Sequence, residues 1–414
     1  MTQPQTLLAT PLTLPNGSVL PNRLAKSALS ESLGTYDNRV TPALPTLFGR
    51  WAAGGTGLLI TGNVMIDRRA LGEPGNVVVE DERDLPLLQA WAESATRQGS
   101  AIWVQLNHPG KQSPKGLNRE NVSPSAIPFK KDMQAFFDTP RELTDAEIRD
   151  IIARFARSAA IIKKAGFSGV QIHGAHGYLV SQFLSPHHNI RSDEWGGTPE
   201  KRRRFVLEVY RAIRDAVGAD FPIGIKLNSA DFQRGGFTEE ESLDTIKALA
   251  SAGIDMVEIS GGTYEAPAMA GKKQKASSQA REAYFLAFAE QVRTQVTVPL
   301  MVTGGFRSLS AMGEALASGA LDLIGLGRPL CIEPDASRRL LSGQETRHRV
   351  KPIVTGIGMV DRMALMEVAW YTRQLHRMGA GKEPKPNESA LWSLANTVVG
   401  NVRGTLKTRR LRAS

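Results

Sequence analysis

The chain has 414 residues, 41% of them hydrophobic and 22% charged, with one cysteine and a net charge of +10. That length can bury a large core as one big domain or two ordinary ones, while the lone Cys331 excludes an intrachain disulfide and any cysteine-built zinc or iron–sulfur centre. No uncharged apolar run reaches the roughly 18 residues of a membrane span, the start has no basic leader pattern, and the basic residues are not interleaved with aromatics as on a single-strand platform. A cytoplasmic protein without a nucleic-acid partner is expected.

Taken in chain order, "TPLTLPNGSVLPN" (10–22) reads as hairpin-like. Apolar strand signals follow at "NRLAKSAL" (22–29), "TGLLITGN" (56–63) and "AIWVQLNH" (101–108). Thr144 and Glu147 form a capping box ahead of Ile148, Ile151, Ile152, Phe155, Ala159 and Ile162 at helical spacing, and Gly166 is the stop. "GVQIHGAH" (169–176) comes at once as a buried strand. The same phrase returns with Thr238 and Glu241, Gly253 and "MVEISGG" (256–262), after a strand at "PIGIKLNS" (222–229). "LMVTGG" (300–305), a helix at "SLSAMGEALASG" and "LDLIGLG" (321–327) complete the series. Eight strands with intervening helices predict a (β/α)8 barrel whose floor the hairpin plugs; a doubly wound sheet lacks its strand-following GxGxxG. Beyond the barrel, "VDRMALMEVAWYTRQLHRMG" predicts an amphipathic helix with enough apolar surface for a homodimer contact, "KEPKPNES" a linker, and "ALWSLANTVVGNVRGTLKTRRLRAS" a helix ending in a basic tail. The expected division is a barrel over 1–340 and a C-terminal helical extension over 341–414.

Chemistry in such barrels sits at the C-terminal ends of the strands. There, Gly304, Gly305 and Gly327 allow backbone amides to approach an anion beside Arg328, which points to a phosphate-bearing ligand. "QIHGAHGYLV" places His173, His176 and Tyr178 at the mouth of the fourth strand. A metal site would need further ligands at suitable spacing, and two core histidines would need only backbone partners. A pair of imidazole donors aimed at one substrate oxygen fits best, since it stabilises charge developing on a carbonyl or nitro oxygen. Tyr178, a phenol with a pKa near 10, then suits protonation of a carbanionic carbon. No metal is expected.

The stretch "HGAHGYLVSQFLSPHHNIRSDEWGGTPEKRRRF" resembles the signature of the Old Yellow Enzyme family, the FMN-dependent NAD(P)H:flavin oxidoreductases and ene-reductases. "NRLAKSALSE", "VQLNHPGKQ", "KLNSADFQRGGF" and "GLGRPLCIEPD" carry the same resemblance in consistent order from about residue 10 to 340. It implies FMN across the barrel mouth, reduced by NADH or NADPH. Ser27, Ala28, Leu29 and Ser30 would line the flavin, with Ser30 near O4 or N5, and Gly62, Asn63 and Gln105 would meet its pyrimidine side. Lys226 would stand beside N1 and O2 where the family usually has arginine, keeping the cation but losing the bidentate fork. Gly304, Gly305, Gly327 and Arg328 would hold the phosphate. His173, itself also beside the flavin, and His176 would grip the activating oxygen of an electrophilic alkene, and Tyr178 would donate the proton. Ser30 in place of threonine or cysteine keeps a hydroxyl, and Ala28 replaces a common proline.

Two other readings stay open at the level of sequence. One is another FMN-barrel oxidation, of a hydroxy acid or dihydropyrimidine. The other is a ligand-binding barrel whose tail, with Arg403, Lys407, Arg409, Arg410 and Arg412, docks on an anionic membrane or a partner. The loops at 109–141 and 262–281 are expected to wall the pocket, and His108 either to shape it or to cap its strand.

Overall fold

All eight expected strands form: β1 (Leu24–Lys26), β2 (Leu58–Ile60), β3 (Ala101–Asn107), β4 (Gly169–Gly174), β5 (Ile223–Asn228), β6 (Met256–Ser260), β7 (Leu300–Thr303) and β8 (Leu323–Leu326). Each pairs in parallel with the next and β8 pairs with β1, which closes the barrel. The computed structural model describes residues 3–266, 283, 285–348, 350, 352–355 and 365–413. The basic run at 271–275, most of the mouth loop expected at 262–281 and the start of the helix expected from 360 lie outside the described residues.

Helices α1 (Ala43–Ala53), α2 (Leu85–Thr96), α3 (Asp145–Lys164), α4 (Pro199–Val217), α5 (Glu239–Ala252), α6 (Leu286–Arg293) and α7 (Leu309–Ala317) connect the strands. Local sequence sets their starts. Glu147 Oε2 accepts the Thr144 amide at 2.8 Å while Thr144 Oγ1 accepts the Glu147 amide, and Thr238 with Glu241 repeats the arrangement at α5. Gly253, at φ +95°, ends α5 in the left-handed conformation that glycine adopts without strain.

The N-terminal hairpin pairs Leu12 with Leu20. Leu12, Leu14 and Leu20 join Ala25, Leu58, Ile60, Trp103, Met256, Met301 and Leu323 in one buried cluster, so the hairpin seals the barrel from below as its sequence predicted. The Trp103 indole fills this floor. A Cβ on Gly169 would lie 2.5 Å from its Nε1, and one on Gly224 2.7 Å from its Cζ3. Those two strands therefore give up side chains to admit one indole.

The C-terminal extension carries α8 (Leu365–Gly379) and α9 (Ala390–Ala413). The apolar face of α8 that the sequence offers to a second copy is used within this chain: Ala369, Trp370, Tyr371, Leu375 and Met378 are buried, and the helix packs on α1. The expected linker "KEPKPNES" is instead fastened down. Arg373 Nε donates to Glu388 at 2.6 Å, Trp370 Nε1 to the Glu388 carbonyl at 2.9 Å, and the Lys385 amide to Gln374 at 2.7 Å. Buried partners hold this segment where composition alone suggested slack.

Candidate active site

One step along the pleat above the floor, the barrel interior turns polar. Side chains two residues apart on a strand share a face, so Gln105 follows Trp103, Lys226 follows Gly224, Glu258 follows Met256 and Thr303 follows Met301. Gln105 Nε2 donates to Gln171 Oε1 at 2.7 Å, and Gln171 Nε2 donates to Glu258 Oε2 at 2.7 Å. Thr303 Oγ1 donates to Glu258 Oε1 at 2.6 Å and lies 2.7 Å from Ser27 Oγ. Lys226 Nζ stands 3.0 Å from Glu258 Oε1, with both side chains almost wholly buried. Gln105 and Lys226, expected at the flavin's pyrimidine side, thus belong to one network whose centre is Glu258. Sequence reading missed Glu258, Gln171 and Thr303; the signal was an acid and two further polar residues inside apolar strand runs.

Above this layer stand the residues of the "HGAHGY" stretch. The His173 and His176 rings lie 5.2 Å apart, and the Tyr178 ring lies 4.7 Å from His173. His176 takes φ +62°, a conformation costly for a residue with a side chain, and its amide donates to Asn228 Oδ1 at 3.2 Å. Burial lowers the His173 pKa well below its ordinary value and that of His176 to about 3, and the Lys226 cation adds to both effects. Both rings are therefore neutral at physiological pH, with one N–H each. The Ala175 amide donates to His173 Nδ1, which assigns the proton to Nε2. His176 Nε2 lies 2.8 Å from Ser260 Oγ. If that hydroxyl donates, the His176 proton sits on Nδ1.

Tyr178 Oη receives Asn63 Nδ2 at 3.2 Å and lies 3.1 Å from Tyr264 Oη. Burial raises its pKa, with the Glu73 carboxylate adding to the effect. Glu73 is itself pushed up to about 7 by burial. The structure thus brings together His173, His176, Tyr178 and Asn63, and adds Tyr264, a loop residue without a periodic signal.

Of the remaining expected residues, Ser30, Gly62, Gly304, Gly305, Gly327 and Arg328 follow the C-terminal ends of their strands, whereas Ala28 packs against the floor cluster. Gly304 and Gly305 have φ of +113° and +99°, a backbone path suited to glycine. A Cβ on Gly62 would lie 2.2 Å from the Leu29 carbonyl oxygen, so the loop after β2 presses directly on the loop after β1. The Gly62 amide donates to Glu31, which pairs with the buried Lys26 at 2.9 Å. Among the described residues Ser30 Oγ is buried without a hydrogen-bond partner, an open donor at the mouth. Arg328 Nη1 reaches Glu367 of α8 at 2.9 Å, and His376 Nε2, also on α8, lies 2.8 Å from the Glu31 carbonyl oxygen. The extension therefore contacts both the β1 loop and the arginine expected at the phosphate. His108 is buried, and the Gly110 amide donates to its Nδ1 at 3.1 Å, so it caps its strand. At the rim, the Lys111 ammonium stands 3.8 Å from the Glu265 carboxylate and the Lys130 amide donates to it at 3.0 Å, which fastens the loop carrying Tyr264.

The sequence pattern of the NADH:flavin oxidoreductase / NADH oxidase family matches residues 7–347. The chain is 36% identical over 404 residues to the NADH-dependent flavin oxidoreductase iccE of Talaromyces variabilis, covering 90% of this chain and 98% of that protein. It is 38% identical over 350 residues to the NADH-dependent flavin oxidoreductase iliE of Neonectria sp. (strain DH2), where the match covers 78% of this chain and 45% of that longer protein. Among solved structures, morphinone reductase in complex with tetrahydroNAD superposes with a TM-score of 0.69 at 25% identity, over 82% of this chain and 92% of that one.

Proposed function

The chain belongs to the NADH:flavin oxidoreductase / NADH oxidase family, the Old Yellow Enzyme family of FMN-dependent oxidoreductases drawing on NADH or NADPH, and from that premise we propose that its acceptors are activated alkenes. The residues present suit the cofactor: the open Ser30 hydroxyl, the glycine backbone at 304–305 and the cationic Lys226 offer a donor, an anion path and a charge. Gln105, Lys226, Ser30 and Asn63 would hold the ring system, and Gly304, Gly305, Gly327 and Arg328 the phosphate. When bound, FMN supplies the hydride chemistry, taking a hydride from the nicotinamide and passing it to the acceptor.

The chain's own residues do the rest. His173, through Nε2–H, donates to the carbonyl or nitro oxygen of the acceptor, and His176 joins it when Ser260 donates to Nε2. As neutral donors they keep their protons while charge gathers on that oxygen. Tyr178 holds the proton for the carbon next to the activating group. Asn63 and Tyr264 stabilise the phenolate left behind, which burial alone would make costly. The sealed floor leaves one doorway for reductant and acceptor, so ping-pong kinetics are expected.

The observation that carries this reading is the phenol of Tyr178 held by two partners beside two neutral imidazoles. The substitution Tyr178→Phe tests it. Alkene reduction should slow about 10²- to 10⁴-fold while bleaching of the flavin by NADH or NADPH is unchanged. An equal loss in both half-reactions overturns the assignment.

A further inference from the structure

Helix α9 is built with its apolar side outward. The face it turns to the barrel consists of small or polar residues. Ser393 and Thr408 are buried, Thr408 Oγ1 donates to the Tyr36 carbonyl at 3.1 Å, and Gly404 lies so close that a Cβ there would meet Pro74 Cβ at 2.9 Å. The opposite face carries Leu391, Trp392, Val398, Val399, Val402 and Leu406, each 47–61% exposed. At about 100° per residue these six fall within an arc of about 120°. Arg403 and then Lys407, whose ammonium lies 4.7 Å from the centre of the Tyr36 ring, follow along one edge of that arc, and the helix sequence continues to Arg409, Arg410 and Arg412 with no acidic residue anywhere in it.

An unpartnered apolar stripe of this extent marks an interaction surface. Its charge selects the occupant. A second copy meeting face to face would stack two helices that each carry five cations and no anion. An anionic bilayer instead complements those cations and takes the stripe into its acyl boundary, with Trp392 at headgroup depth. We infer that α9 is an interfacial helix that docks this enzyme on anionic phospholipid surfaces without spanning them. Among the described residues, no helix is long and apolar enough to cross a membrane. Because α9 rests on Tyr36 and Pro74, in the segments that follow β1 and β2, docking sets the mouth of the barrel beside the lipid.

The test uses the full-length holoenzyme and vesicles of phosphatidylcholine with or without phosphatidylglycerol. Trp392 is the exposed one of six tryptophans, the others being at most 3% exposed, so quenching by brominated lipid reads this helix. Binding and quenching are expected with phosphatidylglycerol, and little of either without it. Arg403→Gln with Lys407→Gln should weaken binding about 30-fold, and Val402→Asp should abolish quenching, with flavin absorbance unchanged in both variants. No binding to either vesicle, or binding that these variants leave intact, overturns the inference. So does a concentration-dependent dimer that Val402→Asp dissolves in a protein that ignores vesicles, for then the stripe belongs to a second copy.

Discussion

Strand β3 carries two kinds of interior within a few residues. At its lower end Trp103 fills the floor against the hairpin, Met256 and Met301; at its upper end Gln105 enters a hydrogen-bonded layer around Glu258, and His108 caps the strand. The floor is apolar, needs no orientation beyond close packing, and closes one end of the barrel. The layer above it consists of paired groups whose donors and acceptors are fixed by their neighbours. Stability and chemistry are thus stacked along the same strands instead of being given to separate domains, and perturbing each should leave different signatures.

The largest stability effect is expected at the floor. Trp103→Ala should cost about 3–5 kcal/mol in denaturant unfolding, while the NADH-driven bleaching rate of the folded fraction changes little. A large change in that rate would show that floor and site are not separable. Next comes pH. Burial holds the pKa of His108 at about 4, well below its ordinary 6.5, so the folded chain keeps it neutral while the unfolded chain takes up a proton. Stability is therefore complete above pH 6.5 and is lost as pH falls toward 4, by about 3 kcal/mol at most. His108→Asn should make that limb shallower by the share of one histidine, the rest belonging to His173 and His176, and an unchanged slope would assign the acid sensitivity elsewhere. Glu258→Gln should cost about 1–3 kcal/mol. By leaving the Lys226 cation without its counter-charge, it should also raise the flavin midpoint potential, measured by redox titration; a lowered potential would break the link between this layer and the flavin. The smallest effect is expected for Thr303→Val, about 1 kcal/mol, read as a small shift in melting temperature.

The strands and most of their connections were legible because their signals are local. An apolar run between glycines, or a capping box such as Thr144 with Glu147, acts over a few residues. The mouth stretch from His173 to Tyr178 was legible for the same reason, being contiguous. Glu258 was not, because an acid within "MVEIS" finds its partners on β4, β5 and β7, which only closure of the barrel brings near. The pairing of Arg328 with Glu367 depends on α8 returning across the barrel, and Tyr264 depends on how Glu265 pins its loop. Composition made residues 382–389 look slack; what holds them is a set of buried acceptors set by tertiary contact.

The indole at 103 and the bare backbones at 169 and 224 form a three-part lock. Enlarging either glycine forces the ring out, and shrinking the ring leaves a hollow that neither glycine can fill. Such positions drift only in concert: a bulkier residue at 169 or 224 is expected in a relative only where something narrower than tryptophan occupies 103, and an engineer resizing this enzyme's interior would have to change all three at once.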